Sequence, residues 1–395
     1  NSVSGNTVLG ENALDAAVSG GDNTAIGSGS LGANTSGTKN TALGRGVLNA
    51  STTASNNTGV GYFALVSTTT GGDNTAVGAN ALDSCTTGNV NTAIGGRALT
   101  GITTGAENTA VGYDSLSECT DAVKCVAVGA YALETNSSGD NCVAVGYKAG
   151  EANQASNLVA VGYYAAIKNT TGTANTALGR QALEQNETGT NNTAVGNNAL
   201  EDNTASNNTA VGNNALQLNT TGSENTGIGT FALDANTTAS NNTGVGYNAL
   251  TANTTGNSNS SLGTFALQTS TTGDSNCAFG RSALQNNTTA DNNSAFGKDA
   301  LKANTTGTLN TAIGSEALDA NTTASDNTAV GYKSLLSNTT GTRNVAVGNF
   351  SNYGQTTGND NIAIGYTALG ATNSGSNNVV VGGFAMDANT TGSEN

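Results

Sequence analysis

The feature that most limits how this 395-residue chain can fold is a repeat. From Asn6 onward, units such as NTAVGANALDSCTTGNV (residues 74–90) and NTAVGYKSLLSNTTGTR (327–343) return every 17 residues as far as Glu394. There are 23 such units, and only those beginning at Cys142 and Asn192 are one residue short. Both lose the residue in the polar segment after the unit's Leu position, which marks that segment as a loop. Self-similarity at a fixed period means one small unit stacked on copies of itself, each burying its apolar residues only against its neighbours. Seventeen residues are too few for two helices and their connections, and no 3.6-residue apolar spacing runs through the unit. The expected fold is therefore all-β: a parallel β-solenoid (β-roll) of about 23 coils, with two short strands per coil. It is expected to form a single continuous array over 1–395, itself a segment of a longer chain. Stacking at the parallel-strand spacing would make a rod roughly 110 Å long.

The composition agrees with a thin core. The chain has 54 Gly, 10 Tyr and 7 Phe and no Trp, Pro or His, so few large side chains exist to fill a thick interior. Charged residues make up 10%, and solvation falls to Asn, Thr and Ser. A net charge of -15 repels phosphate backbones, so nucleic acid is not an expected partner. No apolar run approaches the roughly 18 residues that would cross a bilayer, and no signal-peptide pattern is visible.

With each unit numbered from its Asn, five columns stand out. Position 4 is apolar throughout (Val60, Val77, Val111, Val211) and position 9 is Leu in 19 units (Leu65, Leu82, Leu116, Leu216). Both are expected to face inward as the core. Position 5 is always Gly (Gly61, Gly78, Gly112, Gly212), the mark of a corner that needs positive φ or close backbone approach. Positions 3 and 8 are nearly always small (Ala76, Ala93; Ala81, Ala98). If their neighbours face inward, these columns face outward, where they would let a second copy approach closely to form a trimer or bundle; neutral filling of a crowded strand is the other reading. Position 1 is Asn except at Cys125, Cys142 and Leu158, and stacked Asn side chains form amide ladders.

Position 12 carries N-x-S/T in twelve units: Asn34, Asn136, Asn169, Asn186, Asn219, Asn236, Asn253, Asn287, Asn304, Asn321, Asn338 and Asn389. These are candidate N-glycosylation sites along one edge, or simply good turn residues. Cys125 and Cys142 share position 1 in adjacent coils, within disulfide range, and such a bridge would favour an oxidising, extracellular setting. Cys277 is expected to be a buried thiol. With no His and no CxxC, no zinc site is expected. Asp22, Asp73, Asp140, Asp274, Asp326 and Asp360 recur near unit ends, but the calcium-binding nonapeptide is absent, and Asp at a turn serves backbone. No phosphate loop, nucleophile triad or cluster of acids is present, so the chain is expected to be no enzyme and to use no cofactor.

The stretches NTGVGYNAL (242–250), NCVAVGYKAG (141–150) and NVAVGNFS (344–351) resemble the head repeats of trimeric autotransporter adhesins of the YadA type, and repeat arms of tail-fibre-type proteins. The resemblance runs over essentially the whole chain. It implies a left-handed roll with the position 4 Val inside and the Ala column on a trimer axis. It also implies a homotrimer or filament on a cell or virion surface, with host-cell or matrix ligands. The expected function is accordingly that of a structural, adhesive extracellular fibre or appendage shaft, making surface contact rather than running catalysis, with a virion tail fibre as one alternative. An ice- or crystal-surface-binding solenoid is the other alternative, since Thr recurs at position 2.

Overall fold

The computed structural model describes residues 5–371 and 374–395, which fall into two compact units, Asn1–Val195 and Gly196–Asn395. No helix occurs among the described residues. The first unit holds the strands from Thr7–Leu9 to Thr193–Val195, the second those from Thr209–Val211 to Val379–Val381, and each strand is three residues long. Within each unit every strand pairs in parallel with the equivalent strand of the next coil, like residue on like: Thr75 with Thr92, Ala76 with Ala93, Val77 with Ile94. This is the parallel β-solenoid with a 17-residue repeat that the periodicity predicts.

The short unit keeps the register, with Val143, Ala144 and Val145 opposite Val159, Ala160 and Val161. Its missing residue comes out of the loop, where Asn153 Nδ2 reaches the carbonyl two residues on, at Ala155, instead of the usual three.

Each coil has one strand rather than the expected two. Positions 7 and 9 both adopt left-handed backbone, as at Asn80 (φ 55) and Leu82 (φ 53), which breaks any extended run. Tight turns result, closed by bonds such as Ala132 N–H to Gly129 C=O (3.3 Å) and Asn136 N–H to Leu133 C=O (3.1 Å). The segment still bonds from coil to coil, as in Leu65 N–H to Ala81 C=O (3.0 Å). Its backbone groups are thereby satisfied without a strand.

The position 5 column carries both expected constraints. Gly112 has φ +141, and a β-carbon there would lie 2.5 Å from the carbonyl oxygen of Gly129 in the next coil. Gly61, Gly78 and Gly212 repeat the geometry.

The assignment of faces is corrected. Leu65, Leu82, Leu116 and Leu216 are buried as expected, but so are Ala76, Ala93, Ala81 and Ala98, all fully. Val77 and Val211 instead lie on the surface, 37% and 36% exposed, and Val60 and Val111 are half-buried. The interior of so small a coil is the reason. A β-carbon at Gly227 would lie 3.2 Å from Leu216 Cγ, and one at Gly244 3.2 Å from Leu233 Cγ, so beside the Leu column there is space for little more than a methyl group. The middle residue of each strand turns inward, and the bulkier position 4 is left outside. The Ala columns are core and are not available for assembly.

Candidate interaction surface

The interior is cross-linked by polar ladders. At position 1, the side-chain oxygen of each Asn accepts the backbone N–H of the Asn in the next coil: Asn242 Oδ1 accepts from Asn259 (2.9 Å), and Asn225 Oδ1 from Asn242 (2.9 Å). Each Nδ2 donates to a loop carbonyl, as Asn242 does to Gly256 (2.9 Å). The expected amide ladder is thus present, and it is buried except at its ends, Asn6 and Asn395.

Position 12 forms a second ladder, which overturns the glycosylation reading. Asn236 Nδ2 donates to Asn219 Oδ1 (2.7 Å), Asn253 to Asn236 (2.9 Å), Asn321 to Asn304 (2.9 Å) and Asn338 to Asn321 (3.1 Å). Asn34, Asn136, Asn169, Asn186, Asn287 and Asn304 are buried with them, and only Asn389, in the last coil, is half-buried. The nitrogen that a glycan would occupy is the ladder's donor, and no sugar fits the space. Thr at position 13 extends the network by donating its hydroxyl to the carbonyl below, as in Thr254 to Thr271 (3.1 Å).

A third ladder, at position 16, went unread in the sequence. There a Ser, Asn or Asp oxygen accepts the N–H of the same position in the preceding coil: Asn257 for Ser240 (2.9 Å), Asp274 for Asn257 (2.6 Å), Asp140 for Val123 (2.8 Å). The enrichment of those three residue types in the column is the signal that could have found it. Asp140 and Asp274 serve backbone in this way, and among the described residues no group of three or more His, Cys, Asp or Glu could hold a metal ion.

All five cysteines are free thiols, so the Cys125–Cys142 bridge is not formed. Their sulfurs take the Asn role, Cys125 Sγ facing Gly139 C=O and Cys142 Sγ facing Ala155 C=O, each at 3.2 Å. A hydrogen bond with Cys142, together with burial, raises the Cys125 thiol. Cys85 and Cys119 stand in the position 12 column, where burial pushes them up to about 11 and about 12. Such thiols stay protonated and unreactive. Cys277, expected to be buried, is at position 2 on the strand face and only half-buried.

The outward strand face is the first candidate surface. It carries two parallel columns, position 2 (mostly Thr) and position 4 (Val, Ile, Leu or Phe), and no charged residue occupies either in any coil. Ile94, Leu178, Ile228, Leu262 and Ile313 are all exposed along it. Ordinary soluble surfaces break up apolar residues; this face lines them up.

A second surface is the corner after the strand. Of the 17 Tyr and Phe, all but Phe279, Phe296 and Tyr353 sit at positions 6 and 7. Tyr113, Tyr147, Tyr163, Tyr247 and Tyr366 are between 41% and 51% exposed there. Rings of successive coils touch: Tyr113–Tyr131 at 5.7 Å edge-on, Tyr131–Tyr147 at 5.9 Å edge-on, Tyr147–Tyr163 at 5.7 Å stacked. The second unit has its own series, Tyr332–Phe350 at 5.2 Å and Tyr366–Phe384 at 5.1 Å. The sequence reading passed over this clustering, although the two columns show it.

No protein-family model matches the chain, and no curated protein matches it. No helix among the described residues is long and apolar enough to cross a membrane.

Proposed function

We propose that the chain forms a structural, adhesive fibre, working outside the cell or on a virion by surface contact rather than catalysis. The observation that carries this reading is the uncharged strand face, repeated without interruption through each unit. A chain of net charge -15 repels its own copies except through a neutral face, and a second copy is the one protein partner certain to share the same 17-residue pitch. Covering about a third of a Val or Ile side chain contributes roughly 0.5–1 kcal/mol per coil. Over one unit this sums to an order of 5–10 kcal/mol, comparable with the roughly 4–15 kcal/mol that association costs, so a stable homotrimer or filament draws on the faces of both units. The resemblance to adhesin head repeats points the same way, with the contact moved from the Ala columns to positions 2 and 4.

Sedimentation equilibrium of the full chain tests it. Self-association is expected, and Val211→Lys with Val245→Lys should weaken it. A wild-type chain that stays monomeric at micromolar concentration refutes the self-association.

The same face favours one second reading. Thr and an aliphatic residue side by side, repeated at the coil spacing, form a lattice of the kind that could match an ice or other crystal face. A thermal hysteresis assay decides it: no growth inhibition at millimolar protein eliminates this alternative.

A further inference from the structure

The aromatic corner is not explained by folding. Side chains of this size normally fill cores, yet here the core is Ala, Leu and Asn, and the rings stand on a surface turn. Four consecutive coils in the first unit carry five of the chain's ten Tyr: Tyr113, Tyr131, Tyr147, Tyr163 and Tyr164. Their rings form one chain of contacts, with Tyr163 and Tyr164 stacked at 4.0 Å beside the series already described. The strand face beside them changes in the last three of these coils. Position 2 becomes Val126, Val143 and Val159 in place of Thr, so a wider apolar strip borders the rings.

Charge narrows what can bind there. Two cations near the rings are already paired: Arg97 Nε with Asp114 (2.9 Å), and Lys148 Nζ with Glu151 (2.8 Å) while lying 5.4 Å from the Tyr131 ring centre. Glu134 stands nearby, its carboxyl held above the usual range first by burial and then by Glu151. An anionic ligand would meet acids without an unpaired cation among these side chains. A neutral ligand made of repeating, flat-faced, hydroxyl-rich rings fits better. Its C–H faces stack on tyrosine rings, its hydroxyls meet the phenols and carboxylates, and its linear repeat follows a row of coils.

We propose that the Tyr113–Tyr164 ladder binds neutral polysaccharide chains. This rests on the surface-contact reading and names one class of surface contacted.

The test is affinity electrophoresis of the full chain through gels holding hydroxyethylcellulose, laminarin or, as an anionic control, alginate. The expected result is retardation by at least one neutral polymer and none by alginate. Tyr147→Ala with Tyr163→Ala should weaken that binding about tenfold or more, Tyr147→Phe much less, and Tyr62→Ala, outside the ladder, not at all. An unchanged infrared amide band keeps misfolding out of the comparison. Wild-type chain that migrates freely through every neutral gel overturns the proposal, as does equal retardation of the double Ala variant. Loss of self-association in that variant, with no glycan binding by the wild type, also overturns it and assigns the ladder to contact between copies. If glycan binding fails while self-association holds, the fibre reading stands without it.

Discussion

Replacing Asn242 by Ala isolates what one rung of the position 1 ladder is worth. Two bonds disappear: Asn242 Nδ2 to Gly256 C=O (2.9 Å) and Asn259 N–H to Asn242 Oδ1 (2.9 Å). They are not equivalent. Gly256 C=O still accepts from Asn253 Nδ2 (2.9 Å), so it loses one partner of two and about 1 kcal/mol. The Asn259 amide loses its side-chain acceptor, and a buried orphan N–H costs about 1–3 kcal/mol. The expected total is about 2–4 kcal/mol. Because each coil is held only by its neighbours, the loss should stay local. Hydrogen–deuterium exchange with mass spectrometry is therefore the right assay, since a global melting curve would average it away. Amides of the coils around 242–276 should exchange roughly 30- to 1,000-fold faster, at about 1.4 kcal/mol per tenfold, while distant coils keep their rates. Asn257→Ala, which removes a solvent-exposed rung, is expected to change exchange by less than tenfold. If Asn242→Ala leaves its own coils within threefold of wild type, the side-chain ladder is not what holds the coils together.

Gly112→Ala meets a carbonyl oxygen at 2.5 Å and a φ of +141, so it should destabilise its coils by about 3 kcal/mol or more, read by the same exchange experiment. Ala210→Leu overfills the interior and should cost about 1–3 kcal/mol, whereas Val211→Thr next to it should leave coil stability within about 1 kcal/mol; comparable losses at both would restore the opposite facing. Expression in a host that N-glycosylates should add no sugar at Asn219, Asn236, Asn253 or Asn321, which intact-mass measurement checks. Asp234 is held above the usual carboxylate range by burial, so its folded state favours the protonated form. Its ionisation therefore penalises folding above its raised pKa, and the penalty is gone below the unfolded value of about 4. Asp234→Asn should accordingly stabilise local coils at pH 7, with the gain vanishing as pH falls below about 4 in exchange or melting measurements.

What the sequence makes legible here is whatever depends on period and residue type. The coil, the parallel register, the Gly112 corner, the Leu216 column and the Asn242 ladder all follow from like residues stacking on like. The facing of Ala210 and Val211 was not legible, because adjacent apolar residues in a three-residue strand satisfy either orientation. Only the width of the interior, set by Leu, decides it. The sequons misled for a related reason: N-T-T has the same spelling whether Asn236 points out to solvent or in to Asn219. The second strand failed because left-handed φ at residues such as Leu82 has no signature in a residue type that rarely adopts it. The aromatic corner was spelled out at positions 6 and 7, but its exposure follows from turn geometry that composition does not reveal.

Cryo-electron microscopy of the chain at side-chain resolution tests the packing between copies most directly. Copies are expected to pack through the Thr and aliphatic columns at positions 2 and 4, with the Ala76 and Ala81 columns and the Asn ladders enclosed within each coil. Separate single chains with positions 2 and 4 facing water, or copies meeting through the Ala columns, would contradict it.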